Sequence, residues 1–275
     1  LCPSCAELNY EKRFQTAALA GRVALVTGGR VKIGYHTVLK LLRAGATVVA
    51  TTRFPHDAAR RYAAEPDYTR WAGRLRIRGL DLRHSPSVEI FCRQMCRELE
   101  RLDLLVNNAC QTVRRPSAFY EHLLDLEERP LEDLPPELRT LVRSHHDSVR
   151  VLDGTDAAAA GADDAGSLVA WRGGAAGLGI RHSARLSQVS FALVEGSRSP
   201  HFFPEGVRDA DLQQVDLRAV NSWRLTLAEV KTPEMIEVQL VNAVAPFILC
   251  ARLKALMLRA PGRDIILLNK SRSEE

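Results

Sequence analysis

One stretch of the sequence decides the fold of this chain, and it is Arg22-Val-Ala-Leu-Val-Thr-Gly-Gly-Arg-Val-Lys-Ile-Gly34. Its first six residues form a short run rich in apolar and β-branched side chains, which predicts a buried parallel strand. Glycines follow, and from Ile33 apolar residues recur at helical spacing. A helix that starts after such a turn can meet the pyrophosphate of a nucleotide with its N-terminus. Gly28 permits the tight turn, and Gly34 lets the helix pack closely on the strand.

Strand-like and helix-like segments alternate on the C-terminal side of this stretch. The predicted strands are 22–27, 47–52, 75–82 and 104–107, with one helix after Ile33 and another opened by Ser85-Pro86. Such alternation implies a parallel sheet with right-handed crossovers. We therefore predict a Rossmann-like, doubly wound α/β fold with three α/β/α layers, and a cofactor at the carboxyl ends of its strands.

Residues 111–231 interrupt this alternation and are predicted to be a long insertion after the fourth strand. Within them, the Ala/Gly/Asp-rich run 153–166 has too little apolar area to offset its ordering entropy, so we expect a disordered surface loop. Order resumes with a predicted helix over 232–259 and a fifth strand over 264–268. The predicted division is an N-terminal segment over 1–20 and a Rossmann domain over 21–275 that is incomplete at its C-terminus.

Five motifs, taken in order, resemble those of the short-chain dehydrogenase/reductase family. The glycine loop is similar to the family fingerprint Thr-Gly-x-x-x-Gly-x-Gly, and Asp81-Leu82 follow the third strand, where the family's acidic residue contacts adenine. The segment 107–110, Asn-Asn-Ala-Cys, is similar to the family's Asn-Asn-Ala-Gly. Asn242 lies like the helix asparagine that organises the proton-relay water, and Ser271 lies where the substrate-orienting serine ends the fifth strand.

This resemblance covers about residues 20–110 and 233–271 and implies roles for individual residues. Asn242 and Ser271 are the expected catalytic residues. The expected cofactor contacts are Thr27, Gly28, Arg30, Lys32, Ile33, Gly34, Thr52, Arg53, Asp81, Leu82, Asn107, Asn108 and Ala109.

Two departures from the family pattern favour NADP(H) over NAD(H). Lys32 occupies the position of the family's second glycine, which resembles pteridine-reductase-like members that carry a basic residue there. The second strand ends in Thr52-Arg53, whereas an NAD-specific member carries an aspartate for the ribose hydroxyls. Without that carboxylate there is no repulsion toward a 2′-phosphate, and a guanidinium can bind the phosphate bidentately.

In an intact family member a tyrosine acts as general acid, and a lysine four residues later lowers its pKa. No Tyr-x-x-x-Lys follows Ser271 here, because the five tyrosines lie at positions 10, 35, 62, 68 and 120. The resemblance therefore implies an NADP(H)-dependent carbonyl reductase or alcohol dehydrogenase that is expected to be truncated at its C-terminus and inactive. The alternative is a nucleotide-binding scaffold or regulatory protein that has lost its chemistry and is joined to a zinc module.

The composition narrows the classes of partner. Thirty-eight basic against 33 acidic residues give a net charge of only +5, which offers little support for nucleic-acid binding. The sequence shows neither a secretory signal nor about 20 consecutive apolar residues. We expect a cytoplasmic protein with a small-molecule carbonyl or alcohol substrate and no membrane partner, and the oligomeric state stays open.

The remaining candidate residues carry less weight. Cys2-Pro-Ser-Cys5 has the spacing of half a zinc site, but the sequence holds no second pair, so we expect a free dithiol and no metal. The other four cysteines are expected to be buried thiols. His145-His146 are expected to be solvated, and the glycine-rich segment 174–179 is expected to be a flexible loop, because no convincing strand precedes it.

Overall fold

The computed structural model describes residues 2–111, 115–156, 176–189, 201–220, 224–261 and 266–269. Five parallel strands form one sheet in the order β3-β2-β1-β4-β5. The strands are β1 (Val23–Thr27), β2 (Thr47–Thr52), β3 (Leu75–Gly79), β4 (Leu104–Asn107) and β5 (Ile266–Asn269). The predicted α/β fold is therefore confirmed. The predicted start and end of each strand lie within three residues of the observed ones.

Helices cover both faces of this sheet. Those before the insertion are α1 (Pro3–Lys12), α2 (Lys32–Arg43), α3 (Pro55–Ala63) and α4 (Ser85–Glu98). The later helices are α5 (Glu121–Glu127), α6 (Pro136–Asp156), α7 (Leu178–Arg181), α8 (Ser183–Gln188), α9 (Thr232–Gln239) and α10 (Ala245–Met257). Short 3-10 turns lie at Tyr68–Arg70, Ala72–Arg74, Ser117–Phe119, Leu131–Asp133 and Leu227–Glu229.

Successive side chains along each strand lie on opposite faces of the sheet, so they belong to two separate hydrophobic cores. On β1, Ala24 and Val26 point to a core shared with α2, α3 and α6. Leu25, between them, points to the opposite core, which is formed with α4 and α10. Both faces of β1 are thus buried, which explains why its sequence is almost continuously apolar.

The order of the strands reverses direction next to β1. From β1 the backbone runs outward through β2 to β3, then returns to the other side of β1 as β4 and continues to β5. In open α/β sheets, ligands bind in the crevice at such a switch point, outside the carboxyl ends of the strands. The glycine loop after β1 and the Asn-Asn-Ala segment after β4 flank this crevice.

The insertion contributes a 21-residue helix, α6, to the first core. Leu141 and Val142 of this helix are fully buried, and it packs on β3 and α3. The expectation that His145 and His146 are solvated is therefore wrong. His145 is 6% exposed with its Nδ1 3.3 Å from the Gly79 amide, and His146 is half-buried against His56.

Two loop expectations are also revised. Residues 153–156 belong to α6, so the run predicted to be disordered begins inside a helix, and its remainder, 157–166, lies outside the described residues. Gly177 precedes α7, and the Gly179 amide donates to Ser87 Oγ at 2.8 Å. This described end of the 174–179 segment is thus packed against α4, and is not the flexible loop that was expected.

The predicted helix over 232–259 forms a 26-residue helical stretch, Thr232–Met257, in which the turn Leu240–Val244 is π-helical. Among the described residues, this helix alone is long and apolar enough to cross a membrane, with a mean hydropathy of 1.6. The helix is not a run of about 20 consecutive apolar residues, because Glu234, Glu237 and Arg252 interrupt it, so that expectation is not contradicted. Its side chains Leu249, Leu253 and Leu256 are fully buried against α4, which is the packing of a core helix.

Cys2 is the N-cap residue of α1 and Cys5 lies within this helix, and both thiols are exposed and free. None of the residues of α1 is buried. Within the described part of the protein, no group of three His, Cys, Asp or Glu residues could hold a metal ion. Of the other cysteines, Cys92 is buried as expected, whereas the other three (Cys96, Cys110 and Cys250) are only partly so.

Candidate cofactor site

The glycine loop leaves β1 through backbone that has little room for side chains. Gly28 has φ 69°, and a Cβ there would lie 3.0 Å from Ala109 Cα. A Cβ on Gly34 would lie 2.1 Å from the Gly28 carbonyl oxygen. Both positions therefore require glycine, the first for conformation and the second for space.

The backbone of Lys32 has a conformation that glycine adopts more readily than other residues. Its φ of 53° is left-handed, which is unfavourable for a residue with a Cβ. It begins α2, whose N-cap residue Val31 makes no side-chain capping bond. The first amides of α2 are thus left for a ligand, and the Lys32 ammonium, 3.6 Å from an Asp211 carboxylate oxygen, adds positive charge beside them.

The β4 segment is tied to the glycine loop by hydrogen bonds. Asn108 Nδ2 donates to the Thr27 carbonyl at 3.0 Å, and the Ala109 amide donates to Thr27 Oγ1 at 3.0 Å. Asn108 Oδ1 is buried and has no hydrogen-bond partner among the described residues. Because a buried acceptor without a partner is costly, this oxygen fits a ligand that donates a hydrogen bond.

A cavity of about 340 Å³ lies at this point, in the size range of small-molecule sites. Residues from the loops after β1, β2, β3 and β4 surround it. Of the predicted cofactor residues, it is lined by Gly28, Arg30, Lys32, Ile33, Gly34, Thr52, Arg53, Asp81, Leu82, Asn108 and Ala109. Thr27 and Asn107 lie behind this lining in the sheet, both buried. Their roles toward a cofactor stay predictions, but the structure brings the predicted set together.

Arg30 lines the cavity with its charge already neutralised. Its Nη1 donates to Asp57 Oδ2 at 2.7 Å, and both side chains are buried. Asp57 also pairs with Arg60 and Arg61 of α3. Burial alone would raise the pKa of Asp57, but the Arg30 and Arg61 guanidiniums hold that pKa well below its usual range. Arg30 therefore anchors the glycine loop to α3.

Asp81, the predicted adenine contact, is engaged in a similar way. Both of its carboxylate oxygens accept from the Arg83 guanidinium, the closest at 2.8 Å, and Arg83 also pairs with Glu237 of α9 at 3.3 Å. All three side chains are buried. The carboxylate is present at the expected place, but Arg83 competes for it with any adenine amino group.

Asn242 lies in the π-helical turn between α9 and α10 and makes two hydrogen bonds to one backbone unit. Its Oδ1 accepts from the Gln111 amide and its Nδ2 donates to the Gln111 carbonyl, both at 2.8 Å. Single π-turns inside α-helices are frequent at functional sites. Asn242 thus holds the backbone just after β4, at the edge of the cavity. Ser271 lies outside the described residues.

The family model for short chain dehydrogenases matches residues 22–126. The resemblance to the short-chain dehydrogenase/reductase family is therefore confirmed over this part of the protein. The match covers the three loops after β1, β2 and β3, the β4 segment, and the first part of the insertion.

Relatives of this family resemble the protein over part of its length. It is 38% identical over 105 residues to retinol dehydrogenase 14 of Homo sapiens, covering 32% of this chain and 30% of that protein. It is 29% identical over 147 residues to the short-chain dehydrogenase/reductase pyiH of Pyricularia grisea, covering 49% and 59%. The protein thus spans less than two thirds of these relatives.

Solved structures align with parts of the chain at low TM-scores. The RhlG/NADP active-site complex of Pseudomonas aeruginosa aligns with a TM-score of 0.31 and 27% identity, covering 48% of this chain and 45% of that one. A short chain dehydrogenase structure from Pseudomonas syringae aligns with a TM-score of 0.39 and 17% identity, covering 89% and 56%.

Sequence reasoning missed the cavity residues that the insertion supplies to this family site. They are Gln111, Arg115, Tyr120, Ser187 and Gln213. Arg115 pairs with Asp216 at 2.8 Å, and Tyr120 contacts Arg53. No motif marks these residues, because their positions depend on how the insertion folds back over the loops after β2 and β3. Arg83, two residues after Asp81, could have been found from its charge.

Proposed function

We propose that this protein is the NADP(H)-binding part of an oxidoreductase that reduces a carbonyl or oxidises an alcohol. The observation that carries the cofactor preference is Arg53, which follows β2 and lines the cavity. None of the described acidic residues forms an ion pair with it. No carboxylate of the described residues therefore competes with the 2′-phosphate, which distinguishes NADP from NAD, for its guanidinium.

The geometry supports this proposal at several further points. The uncapped N-terminus of α2 and the Lys32 ammonium are suited to a pyrophosphate. Asn108 Oδ1 offers a buried acceptor to a cofactor hydroxyl. The family resemblance supports the reaction class: NADP(H), when bound, would supply or accept the hydride exchanged with a carbonyl or alcohol carbon, while a proton is exchanged at the oxygen. A small-molecule substrate of that kind belongs to the same proposal.

The residues around the cavity contribute binding and orientation. The β1 and β4 segments hold each other through Asn108 and Thr27, so the loop that receives the phosphates is fixed before the cofactor arrives. Asn242 fixes the backbone of Gln111 beside the cavity. Such preorganisation keeps a bound cofactor in one position relative to its substrate.

The test is a comparison of NADPH and NADH affinities by fluorescence titration in the wild-type protein and in Arg53→Ala. A charge-assisted bidentate contact is worth about 1.5 to 3 kcal/mol, so the variant should bind NADPH about tenfold to a hundredfold more weakly. NADH binding should be unchanged. Arg76→Ala is the matched control, because Arg76 is exposed on β3 and away from the cavity. Equal affinities for the two cofactors in the wild type would refute the proposal.

A further inference from the structure

The guanidinium of Arg53 is held by an aromatic side chain of the insertion. Arg53 Nη2 donates to the Tyr120 hydroxyl at 2.9 Å, and the guanidinium carbon lies 4.8 Å from the centre of the Tyr120 ring. The Phe54 ring lies 5.6 Å from the same carbon. Arg53 and Tyr120 both line the cavity. The two residues are separated by 67 positions in the sequence.

Tyr120 is itself fixed by packing. It is 9% exposed and belongs to a small core with Phe54, Phe119 and Phe203. Its ring centre lies 5.0 Å from that of Phe54 and 4.9 Å from that of Phe119. A tyrosine held on two sides has few rotamers open to it, so it offers its hydroxyl and ring face in one place.

The nature of this contact sets Arg53 apart from other arginines of the cavity. Arg30 pairs with Asp57, Arg83 with Asp81 and Arg115 with Asp216. In each of those pairs a carboxylate cancels the positive charge. Tyr120 is a neutral partner, so it orders the Arg53 guanidinium through a hydrogen bond and a cation–π contact and leaves the charge intact.

We propose that Tyr120 is a positioning residue that presents Arg53 to the 2′-phosphate of NADP(H). This inference rests on the proposed function and extends the cofactor site into the insertion. Without the tyrosine, the long Arg53 side chain samples other rotamers, and ordering it on binding costs free energy. Tyr120 thus contributes to the preference for NADP(H) without itself contacting the phosphate.

The experiment measures dissociation constants for NADPH, NADH, adenosine 2′,5′-bisphosphate and AMP in Tyr120→Leu and Tyr120→Phe. Tyr120→Leu should weaken binding of the two ligands that carry a 2′-phosphate by about three- to tenfold and leave NADH and AMP unchanged. Tyr120→Phe keeps the ring and should show a smaller effect of the same kind. Tyr68→Phe is the matched control, because its hydroxyl donates to the Glu137 carbonyl, outside the cavity.

A second measurement isolates the coupling between the two residues. In an Arg53→Ala background, Tyr120→Leu should have no further effect on NADPH affinity, because the group that it positions is gone. A merely structural role for Tyr120 would weaken NADPH and NADH equally, or would persist in that background, and either result would overturn the inference. If the wild type lacks a preference for NADPH, the proposed function fails. If Arg53→Ala loses the preference and Tyr120→Leu keeps it, this inference alone fails.

Discussion

Two sides of the same cavity are held in different ways. The glycine loop is fixed by the neighbouring strand, because Asn108 and Ala109 after β4 bond to Thr27. The β2–α3 corner, residues 52–57, is fixed mainly by the insertion. Tyr120 holds Arg53, and Glu127 accepts from the amides of the α3 N-terminus.

This difference shows that the insertion contributes both to the hydrophobic core and to the candidate cofactor site. α6 covers the sheet beside β3, and the segment before it supplies the side chains that order the β2–α3 corner. The glycine loop should therefore depend less on the insertion than the β2–α3 corner does. The predictions below separate the two sides, from the largest expected effect to the smallest.

A side chain at Gly34 should destabilise the glycine-loop side, because helix α2 and the loop are in close contact there. Gly34→Ala places a Cβ 2.1 Å from the Gly28 carbonyl oxygen, so the helix and the loop must separate. We expect the free energy of unfolding to fall by about 3 kcal/mol, and cofactor binding to be lost. Urea unfolding measures the first quantity. Gly73→Ala is the control, because a Cβ there meets nothing within 4 Å; equal stabilities of the two variants would contradict the prediction.

The insertion side should be sensitive to acid through the contact between His56 and His146. Their Nε2 atoms lie 3.0 Å apart, and His56 Nδ1 lies 2.9 Å from the Leu126 carbonyl. A carbonyl only accepts, so His56 Nδ1 carries the hydrogen, and its Nε2 accepts from neutral His146. Burial, the facing His56 and Arg150 lower the pKa of His146 to about 4, although Asp147 and Glu132 act in the opposite direction. Burial also lowers the pKa values of His56 and His145.

The sign of the pH effect follows from these depressed pKa values. Between the unfolded value of about 6.5 and the folded value of about 4, the unfolded state binds more protons, so stability falls as the pH falls. Over that pH range, the free energy of unfolding of His146→Gln should fall by about 1 to 3 kcal/mol less than that of the wild type. Denaturant unfolding at pH 7, 6 and 5 measures it. His36→Gln, exposed on α2, should leave the slope unchanged, and an unchanged slope in His146→Gln would refute the prediction.

The same side should lose a helix cap when Glu127 is truncated. Its carboxyl oxygens accept from the His56 amide at 3.1 Å and from the Asp57 amide at 2.8 Å, at the N-terminus of α3. Glu127→Ala should lower the free energy of unfolding by about 1 to 2 kcal/mol. Glu128→Ala is the adjacent control, because it loses only an exposed ion pair with Arg185. Thermal unfolding compares them, and a cost no greater than that of Glu128→Ala would exclude the cap.

The smallest expected effect is an increase in the free energy of unfolding, caused by a substitution on the glycine-loop side. Lys32→Gly relieves the left-handed backbone at φ 53° and should raise the free energy of unfolding by about 0.5 to 1 kcal/mol. Lys40→Gly makes the same chemical change inside α2 and should lower it by about 1 kcal/mol. Denaturant titration of both variants measures the opposite signs, and a loss in Lys32→Gly would show that Lys32 stabilises the loop.

Local patterns in the sequence predicted the part of the site that is built from neighbours in the sheet. The apolar run before Gly28 and the spacing to Gly34 depend on short-range rules of strands and turns. The Asn107-Asn108-Ala109 segment was predicted from its resemblance to the family motif. The β2 end was likewise predictable, because Thr52 and Arg53 directly follow a strand. These elements lie at the same carboxyl edge in any parallel sheet of this order.

The sequence by itself therefore determined the sheet, the glycine loop and the cavity residues that directly follow the strands. Only the tertiary structure decided which of the cavity arginines is paired with a carboxylate. Arg30 and Arg53 look alike in the sequence, but the fold brings a carboxylate to Arg30 and a tyrosine hydroxyl to Arg53. The physical reason is that pairing across the insertion depends on long-range packing, which no local periodicity encodes.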